Sequence, residues 1–178
     1  MPFVDNPLDD VLSEYDHMSA LVVVGNVVSN QNPLYFANTP MEFYGSADVV
    51  RILQELRERL DELYVISMWA TFEAWFRDYV QSKYGLVRAA TPGDVAEGLH
   101  DVLAKAMDSR NLDGFFKAFR DFVGDGYVQQ AKAIREYRNW LAHGRNQRRN
   151  QPTVFTPADA YIILHEIILR IINHEMAT

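Results

Sequence analysis

The residues best suited to chemistry lie between 131 and 145, where the chain reads Ala-Lys-Ala-Ile-Arg-Glu-Tyr-Arg-Asn-Trp-Leu-Ala-His-Gly-Arg. Arginine stays charged at all physiological pH values and presents a fixed fork of donors to phosphate or carboxylate oxygens. Histidine, with an ordinary pKa near 6.5, suits proton transfer at neutral pH. Arg138, Asn139 and His143 are therefore the candidates for anion binding and proton transfer.

The charge around these residues differs from that of the rest of the chain. The whole protein has 17 Lys and Arg against 24 Asp and Glu, a net charge of −7. Residues 132–149 hold six basic residues and one acidic residue, so this stretch is +5 and the remainder is −12. A local basic patch is what contact with a polyanion requires in an acidic protein. An exposed basic loop that solubilises a helix end is the alternative.

Helical geometry does not bring the three candidates to one face. On a helix with about 100° per residue, Arg138 lies about 40° from Ile134, at the edge of an apolar stripe. Burial of an arginine there is costly unless the guanidinium is paired. Asn139 and His143 are four residues apart and share a face, but Arg138 and His143 are about 140° apart. The three side chains converge only if the helix end tightens or a second subunit supplies the same residues.

Glu73 is the most notable acid among the aromatic residues of the longest helical segment. Two partners are open to it. Arg77 lies four residues further along and would make an ordinary intrahelical ion pair. The other alternative is a supporting contact to Arg138 or His143.

The elements that must position these residues are predicted to be helical. Apolar residues recur with a 3.6-residue period from Leu8, although the valine-rich run at 20–28 also suits a strand. A loop is expected at 31–45, and a helix at 46–84 with Ser46 as its N-cap. Further helices are predicted at 91–109 and 127–143, with a short phenylalanine-rich segment between them that Gly124 and Gly126 are expected to break.

The end of the chain is predicted to be a loop followed by a helix. Residues 144–152 form a polar basic loop, and Thr156 with Pro157 begins an isoleucine-rich last helix. The prediction is a single all-α domain over residues 1–178, an antiparallel helical bundle with one long aromatic-rich helix. Its core is expected to hold Trp69, Phe72, Phe76, Leu141 and the isoleucines of the last helix.

The amino-acid composition excludes several classes of protein and of chemical site. The absence of cysteine excludes disulfides and thiolate chemistry, and agrees with a cytoplasmic location. The N-terminus lacks a basic signal region, and the dense apolar block at 20–28 is too short to span a membrane. No phosphate-binding glycine loop or metal-spaced histidine pair is present, so we expect no cofactor and no metal.

The run Arg138-Asn139-Trp140-Leu141-Ala142-His143 resembles the R-x(4–6)-H motif of HEPN domains, including the polar residue after the arginine. HEPN domains are small all-α proteins of toxin–antitoxin, abortive-infection and CRISPR-associated systems, and many are metal-independent ribonucleases that act as dimers. Paired HEPN toxins often carry a tyrosine two residues after the histidine, where this chain has Arg145. The chain is more similar to the free-standing, RiboL-PSP-HEPN-like ribonucleases.

The resemblance implies an endoribonuclease that leaves 2′,3′-cyclic phosphate and 5′-hydroxyl ends. Arg138, Asn139 and His143 would be catalytic, and Arg135, Arg145, Arg148 and Arg149 would hold RNA phosphates. The implied partners are RNA, a second copy of the chain and a cognate antitoxin, with no membrane. The alternatives are a non-catalytic HEPN-like module that binds RNA or nucleotides, and a helical interaction protein or antitoxin-like regulator.

Overall fold

The computed structural model describes residues 6–31, 36–90, 93, 119–145 and 150–177. Four α-helices account for most of them: α1 (Leu8–Gln31), α2 (Ser46–Ala90), α3 (Asp125–Ala142) and α4 (Pro157–Ala177). A short 3₁₀ turn spans Pro40–Phe43, and residues 119–123 are helical. No β-strand occurs in the described ranges, so the all-α prediction is confirmed.

The valine-rich run at 20–28 is helical, as the periodicity from Leu8 predicted. α1 begins where Asn6 caps it, since the Leu8 amide donates to Asn6 Oδ1 at 3.1 Å. Its buried side includes Ser19, Val22 and Ser29, while Leu21 and Val24 are more than half exposed. The valines that suggested a strand therefore lie mainly on the outer side of a helix.

α2 is the longest element and exceeds its predicted bounds. Its 45 residues extend about 67 Å. The helix passes through Gly85, where we expected it to end, because one glycine in a helix costs only about 1 kcal/mol. At the other end, the amides of Asp48 and Val49 donate to the Gly45 carbonyl. The N-cap is thus Gly45, one residue before the predicted Ser46.

Successive helices run antiparallel. Tyr15 of α1 donates to Asp61 of α2, whereas Gly25, further along α1, lies against Leu53, earlier on α2. α3 reaches Glu62 with its C-terminal end, whereas Phe119, just before α3, packs on Phe76 at 5.1 Å between ring centroids.

Two contacts show the relative direction of α3 and α4. Tyr137 lies 6.3 Å from the ring of Phe155, just before α4. The Arg170 guanidinium, near the other end of α4, stacks over Tyr127 at 4.5 Å. These contacts make α3 and α4 antiparallel and complete an up-down-up-down bundle.

The main core lies between the second half of α2, α3, α4 and the first turns of α1. Trp69, Phe72 and Phe76 are buried there, as predicted, and Phe72 stacks on Phe76 at 5.9 Å. Leu141, which we also placed in the core, is only half-buried because it lies at the end of α3. The isoleucines of α4 divide in the same way: Ile167, Ile168 and Ile171 are buried, Ile163 and Ile172 are half-buried, and Ile162 is exposed.

A smaller second core joins α1 to the first half of α2. Its buried residues are Tyr15, Val22, Val49, Leu53, Leu60 and Tyr64. We call this two-helix part of the molecule the α1–α2 arm. Two helices alone cannot enclose each other, so each keeps a side exposed to solvent.

The start of the last helix agrees with its sequence signal. The Asp159 amide donates to Thr156 Oγ1 at 3.1 Å, and the Thr156 amide donates to Asp159 Oδ2 at 3.2 Å. The predicted helix at 91–109 and the phenylalanine-rich segment lie outside the described residues, apart from residue 93 and residues 119–123. Among the described helices, none has the length and apolar composition needed to cross a membrane.

Candidate functional site

The motif residues lie at the C-terminal end of α3, and local backbone chemistry determines where that end falls. The helix begins after Gly124, whose φ of +96° ends the preceding turn, so Gly126 lies within the helix and not in a break. At the other end, Gly144 adopts φ +72°. Its amide donates to the Leu141 carbonyl, and the Arg145 amide donates to the Trp140 carbonyl. These two hydrogen bonds form a Schellman motif, which places His143 at the C-cap.

Arg138 and Asn139 form a pair. Arg138 Nη1 donates to Asn139 Oδ1 at 2.9 Å, and both side chains are half-buried. Arg138 Nε is buried and has no hydrogen-bond partner among the described residues. A buried donor without an acceptor is costly. The described residues therefore satisfy the guanidinium at the edge of the apolar stripe only in part.

His143 is exposed. Nine residues separate it from Ile134, which places it about 180° around the helix from the apolar stripe. Its backbone is fixed because its amide donates to the Asn139 carbonyl at 3.1 Å. No hydrogen bond links its imidazole to Arg138, Asn139 or another residue in the described part of the chain. The helix end does not bring the three side chains of one chain together.

Arg145 has a partner that the sequence reading missed. Its guanidinium donates to a carboxylate oxygen of Glu62 on α2, and this hydrogen bond, with the charge of Glu62, raises the pKa of Arg145. Arg145 itself has φ +55°, which is uncommon for a residue with a side chain. The contact ties the end of α3 to the α1–α2 arm.

An open cleft of about 460 Å³ lies beside this tie. Its charged lining comprises three glutamates and two arginines, and the lining residues are Glu55, Glu58, Arg59, Glu62, Leu141, Gly144 and Arg145. From the sequence alone, Glu58, Asp61 and Glu62 are most simply interpreted as a solvated helix face. The spacing of residues 55, 58 and 62 was the signal in the sequence for this cleft, since it places three carboxylates on one side of a helix. The sequence did not show that the end of α3 packs against that side.

Glu73 takes the intrahelical partner. Arg77 Nη2 donates to Glu73 Oε1 at 2.6 Å, and Trp69 Nε1 donates to Glu73 Oε2 at 3.1 Å. Both carboxylate oxygens are thus bonded within α2. The proposed supporting contact from Glu73 to Arg138 or His143 is not formed.

The remaining predicted phosphate-binding residues are distributed along the same segment. Arg135 is half-buried on α3, one turn before Asn139. Arg148 and Arg149 lie outside the described residues. Within the described ranges, no three His, Asp or Glu residues come together as a metal-binding group.

The geometry can therefore supply an exposed imidazole, a partly satisfied guanidinium and an amide that orients it, all on the last turns of one helix. A phosphate diester is a substrate on which such groups could act, provided that they meet around it. Comparison with known proteins adds no identification: no family model, no curated protein and no solved structure matches this chain.

Proposed function

We propose that this protein is a metal-independent endoribonuclease of the HEPN type, acting as a toxin or defence effector in the cytoplasm. The observation that carries the proposal is the state of Arg138: its Nη1 is bonded to Asn139 while its buried Nε has no partner among the described residues. A phosphate oxygen would satisfy this donor once the half-buried guanidinium turns towards solvent. The exposed His143 lies one and a half turns away on the same helix end.

The proposed reaction is transesterification within the RNA strand. A histidine removes the proton from a ribose 2′-hydroxyl, and the 2′-oxygen forms a bond to the adjacent phosphorus. The bond from phosphorus to the 5′-oxygen breaks, and a protonated histidine gives its proton to that leaving oxygen. Arg138 stabilises the charge on the non-bridging oxygens, and Asn139 positions Arg138.

A second copy of the chain is part of this proposal. One chain supplies one His143, directed about 140° away from Arg138 around the helix. A two-fold axis beside the ends of two α3 helices would supply two histidines, one as base and one as acid. The homodimer is therefore the arrangement in which the helix end becomes a complete site.

The role of Arg145 in binding phosphate requires an exchange of partners. Glu62 holds its guanidinium in the free protein, so RNA must displace this carboxylate. Glu62→Gln removes the competing charge. We expect this variant to bind RNA several-fold more tightly than the wild type at low salt, an increase that filter binding measures directly.

The decisive experiment incubates the purified protein with RNA in excess EDTA and identifies the ends of the products. His143→Ala should reduce the cleavage rate at least about 100-fold, as loss of a general acid or base does. Arg138→Ala should do the same. His17→Ala is the matched control, because His17 is also an exposed histidine but lies on α1. Cleavage by His143→Ala at the wild-type rate, or intact RNA with the wild type, contradicts the proposal.

The pairing of Arg145 favours a second candidate, a helical interaction protein or antitoxin-like regulator. Glu62 neutralises Arg145 beside the motif, and the same cleft is lined by two further glutamates and Arg59. A site for RNA phosphates needs a free guanidinium here, whereas an interaction protein does not. Loss of both RNA cleavage and RNA binding would support this candidate, whereas binding without cleavage would support a non-catalytic RNA- or nucleotide-binding module. A cognate antitoxin remains part of the toxin proposal, and co-purification from the native operon tests it.

A further inference from the structure

A cluster of polar and titratable side chains joins the start of α1 to the middle of α4. It consists of Asn6 and Asp9 at the start of α1 and of Tyr161 and His165 on α4. None of these residues belongs to the motif or lines the cleft beside it. Leu8, which lies between the two α1 members, is fully buried in the main core. The cluster therefore attaches the first turn of α1 to the bundle.

Two contacts fix the orientation of the Asn6 side-chain amide. Its Oδ1 accepts a hydrogen bond from the Leu8 amide at 3.1 Å, as the oxygen of an N-cap residue does. Its Nδ2 donates to Asp9 Oδ1 at 2.9 Å. An amide turned the other way would set oxygen against the carboxylate and nitrogen against the Leu8 amide. The atom of Asn6 that faces His165 is therefore the donor Nδ2.

The contact between Asn6 Nδ2 and His165 Nδ1 determines which nitrogen of the imidazole carries its proton. Because Nδ2 can only donate, Nδ1 accepts, and the proton of the neutral ring lies on Nε2. A second proton on the ring would place a donor at Nδ1, facing the donor of Asn6. Only the neutral imidazole can make this hydrogen bond.

An acceptor for the protonated ring lies close by. Asp9 Oδ1 is 3.7 Å from His165 Nδ1, beyond hydrogen-bond distance but within reach of a small rotation of either side chain. The imidazole is 27% exposed and Asp9 is 60% exposed, so both have room to move. A hydrogen bond between an imidazolium and a carboxylate is charge-assisted and stronger than the neutral bond that it would replace.

The other titratable and charged groups around His165 do not compete with Asp9. On its own helix, Glu166 accepts from Arg170 Nε at 2.8 Å. The Tyr161 hydroxyl donates to Asp9, and its pKa of about 12 keeps it protonated throughout the range in which histidines titrate. Among the described residues of α2 and α3, none forms a hydrogen bond or an ion pair with His165.

We infer that this cluster is a pH-sensitive latch, in which protonation of His165 transfers Asp9 from the Asn6 amide to the imidazolium and releases the N-cap of α1. With a neutral ring, Asn6 Nδ2 has two acceptors, which hold Oδ1 at the Leu8 amide. With a charged ring, Asn6 loses both acceptors and its capping oxygen is no longer held. Acidification thus loosens the first turn of α1. No motif residue takes part, so the inference does not depend on the proposed ribonuclease activity.

The first test follows the imidazole nitrogens by ¹⁵N NMR between pH 8 and pH 5. We expect His165 to carry its proton on Nε2 at pH 8. Asn6→Ser retains a capping oxygen but lacks the amide donor, so the titration midpoint of His165 should rise by about half a pH unit. Asp9→Asn removes the acceptor of the charged ring and should lower the midpoint by a similar amount. A proton on Nδ1 at pH 8, or a midpoint that fails to move in either variant, overturns the inference.

The second test measures release of the cap through exchange of the Leu8 amide proton with solvent. After correction for the intrinsic effect of pH on exchange, this proton should exchange several-fold faster at pH 5 than at pH 8. His165→Asn does not titrate and places an oxygen at about the position of Nδ1, so it should abolish the difference. His17→Asn, at an exposed histidine of α1, is the matched control and should retain it. Equal corrected rates in the wild type, or a difference that persists in His165→Asn, overturns the inference.

Discussion

The two halves of α2 have very different surroundings. The second half is enclosed by α3, α4 and the start of α1, and it contributes seven of the buried residues of the main core, from Val65 to Tyr79. The first half packs on α1 on one side and meets the end of α3 on another through Glu62 and Arg145. Enclosure by three helices provides stability, whereas the half with fewer neighbours leaves surfaces available for contacts.

Polar bonds replace part of the missing apolar burial in the α1–α2 arm. The Tyr15 hydroxyl donates to Asp61 Oδ1 at 2.7 Å and accepts from Arg57 Nη2 at 3.1 Å. Arg57 Nε also donates to Asp61 Oδ1 at 3.2 Å. Burial, with the hydrogen bond to Asp61, raises the pKa of Tyr15. Such directional bonds define the register of α1 on α2 more sharply than apolar packing alone does.

The largest expected effect is the loss of unfolding free energy when one buried leucine of each core is replaced by alanine. Leu164 is fully buried in the main core, and Leu53 is 5% exposed in the arm. Leu164→Ala should lower the free energy of unfolding by about 4 kcal/mol, because three surrounding helices cannot close the cavity. Leu53→Ala should cost about 2 kcal/mol, because α1 and α2 can move together at Gly25. Urea unfolding measures both, and a larger loss for Leu53→Ala would reverse the comparison.

An intermediate effect concerns the helix end that meets the arm. Gly144→Ala forces a side chain into the left-handed region and should cost about 1–2 kcal/mol. The amide protons of Gly144 and Arg145 should then exchange faster with solvent. Gly126→Ala is the control, because Gly126 lies within α3, has open space around its Cα and has no positive φ. That change should stabilise the protein by about 0.4–1 kcal/mol. Equal effects of the two changes would contradict the Schellman ending.

The smallest expected effect is a pH dependence at the start of the bundle. Burial, with the hydrogen bond to Asp9, raises the pKa of Tyr161 to about 12. The folded state therefore holds this proton more tightly than the unfolded chain, whose tyrosine pKa is about 10. The stabilisation is present below pH 10 and is lost as the pH rises from about 10 to about 12.

Tyr161→Phe should reduce the slope of unfolding free energy against pH in that window. An identical slope in wild type and Tyr161→Phe would show that this hydroxyl is not linked to folding.

Much of the fold was predictable because its signals are local. The apolar period predicted α1 through the valine run, and the Thr156-Pro157 signal predicted the start of α4. The helix bounds were predicted wrongly at single glycines, because one glycine changes the free energy of a helix only slightly. Gly85 did not end α2, and Gly126 did not delay α3, since a single glycine is tolerated when neighbouring turns are stable.

The candidate site was less predictable than the helices that carry it. The exposure of His143 and the edge position of Arg138 followed from the helical period. The intrahelical partner of Glu73 was one of two alternatives that spacing left open, and the geometry of α2 chose it. The bond between Arg138 and Asn139 joins neighbouring residues, but the choice of rotamers that forms it depends on the surrounding packing.

Helix content, the end of α3 at Gly144 and the uncharged character of residues 18–41 are properties of short stretches of chain, so the amino-acid order alone establishes them. The meeting of Arg145 with Glu62 joins residues 83 positions apart, and no periodicity encodes it. The exposure of Val24 also depends on which face of α1 packs against α2. Such contacts form only when the helices pack against one another. The arrangement of lowest free energy depends on the apolar faces of all the helices together, so no short stretch of sequence determines it.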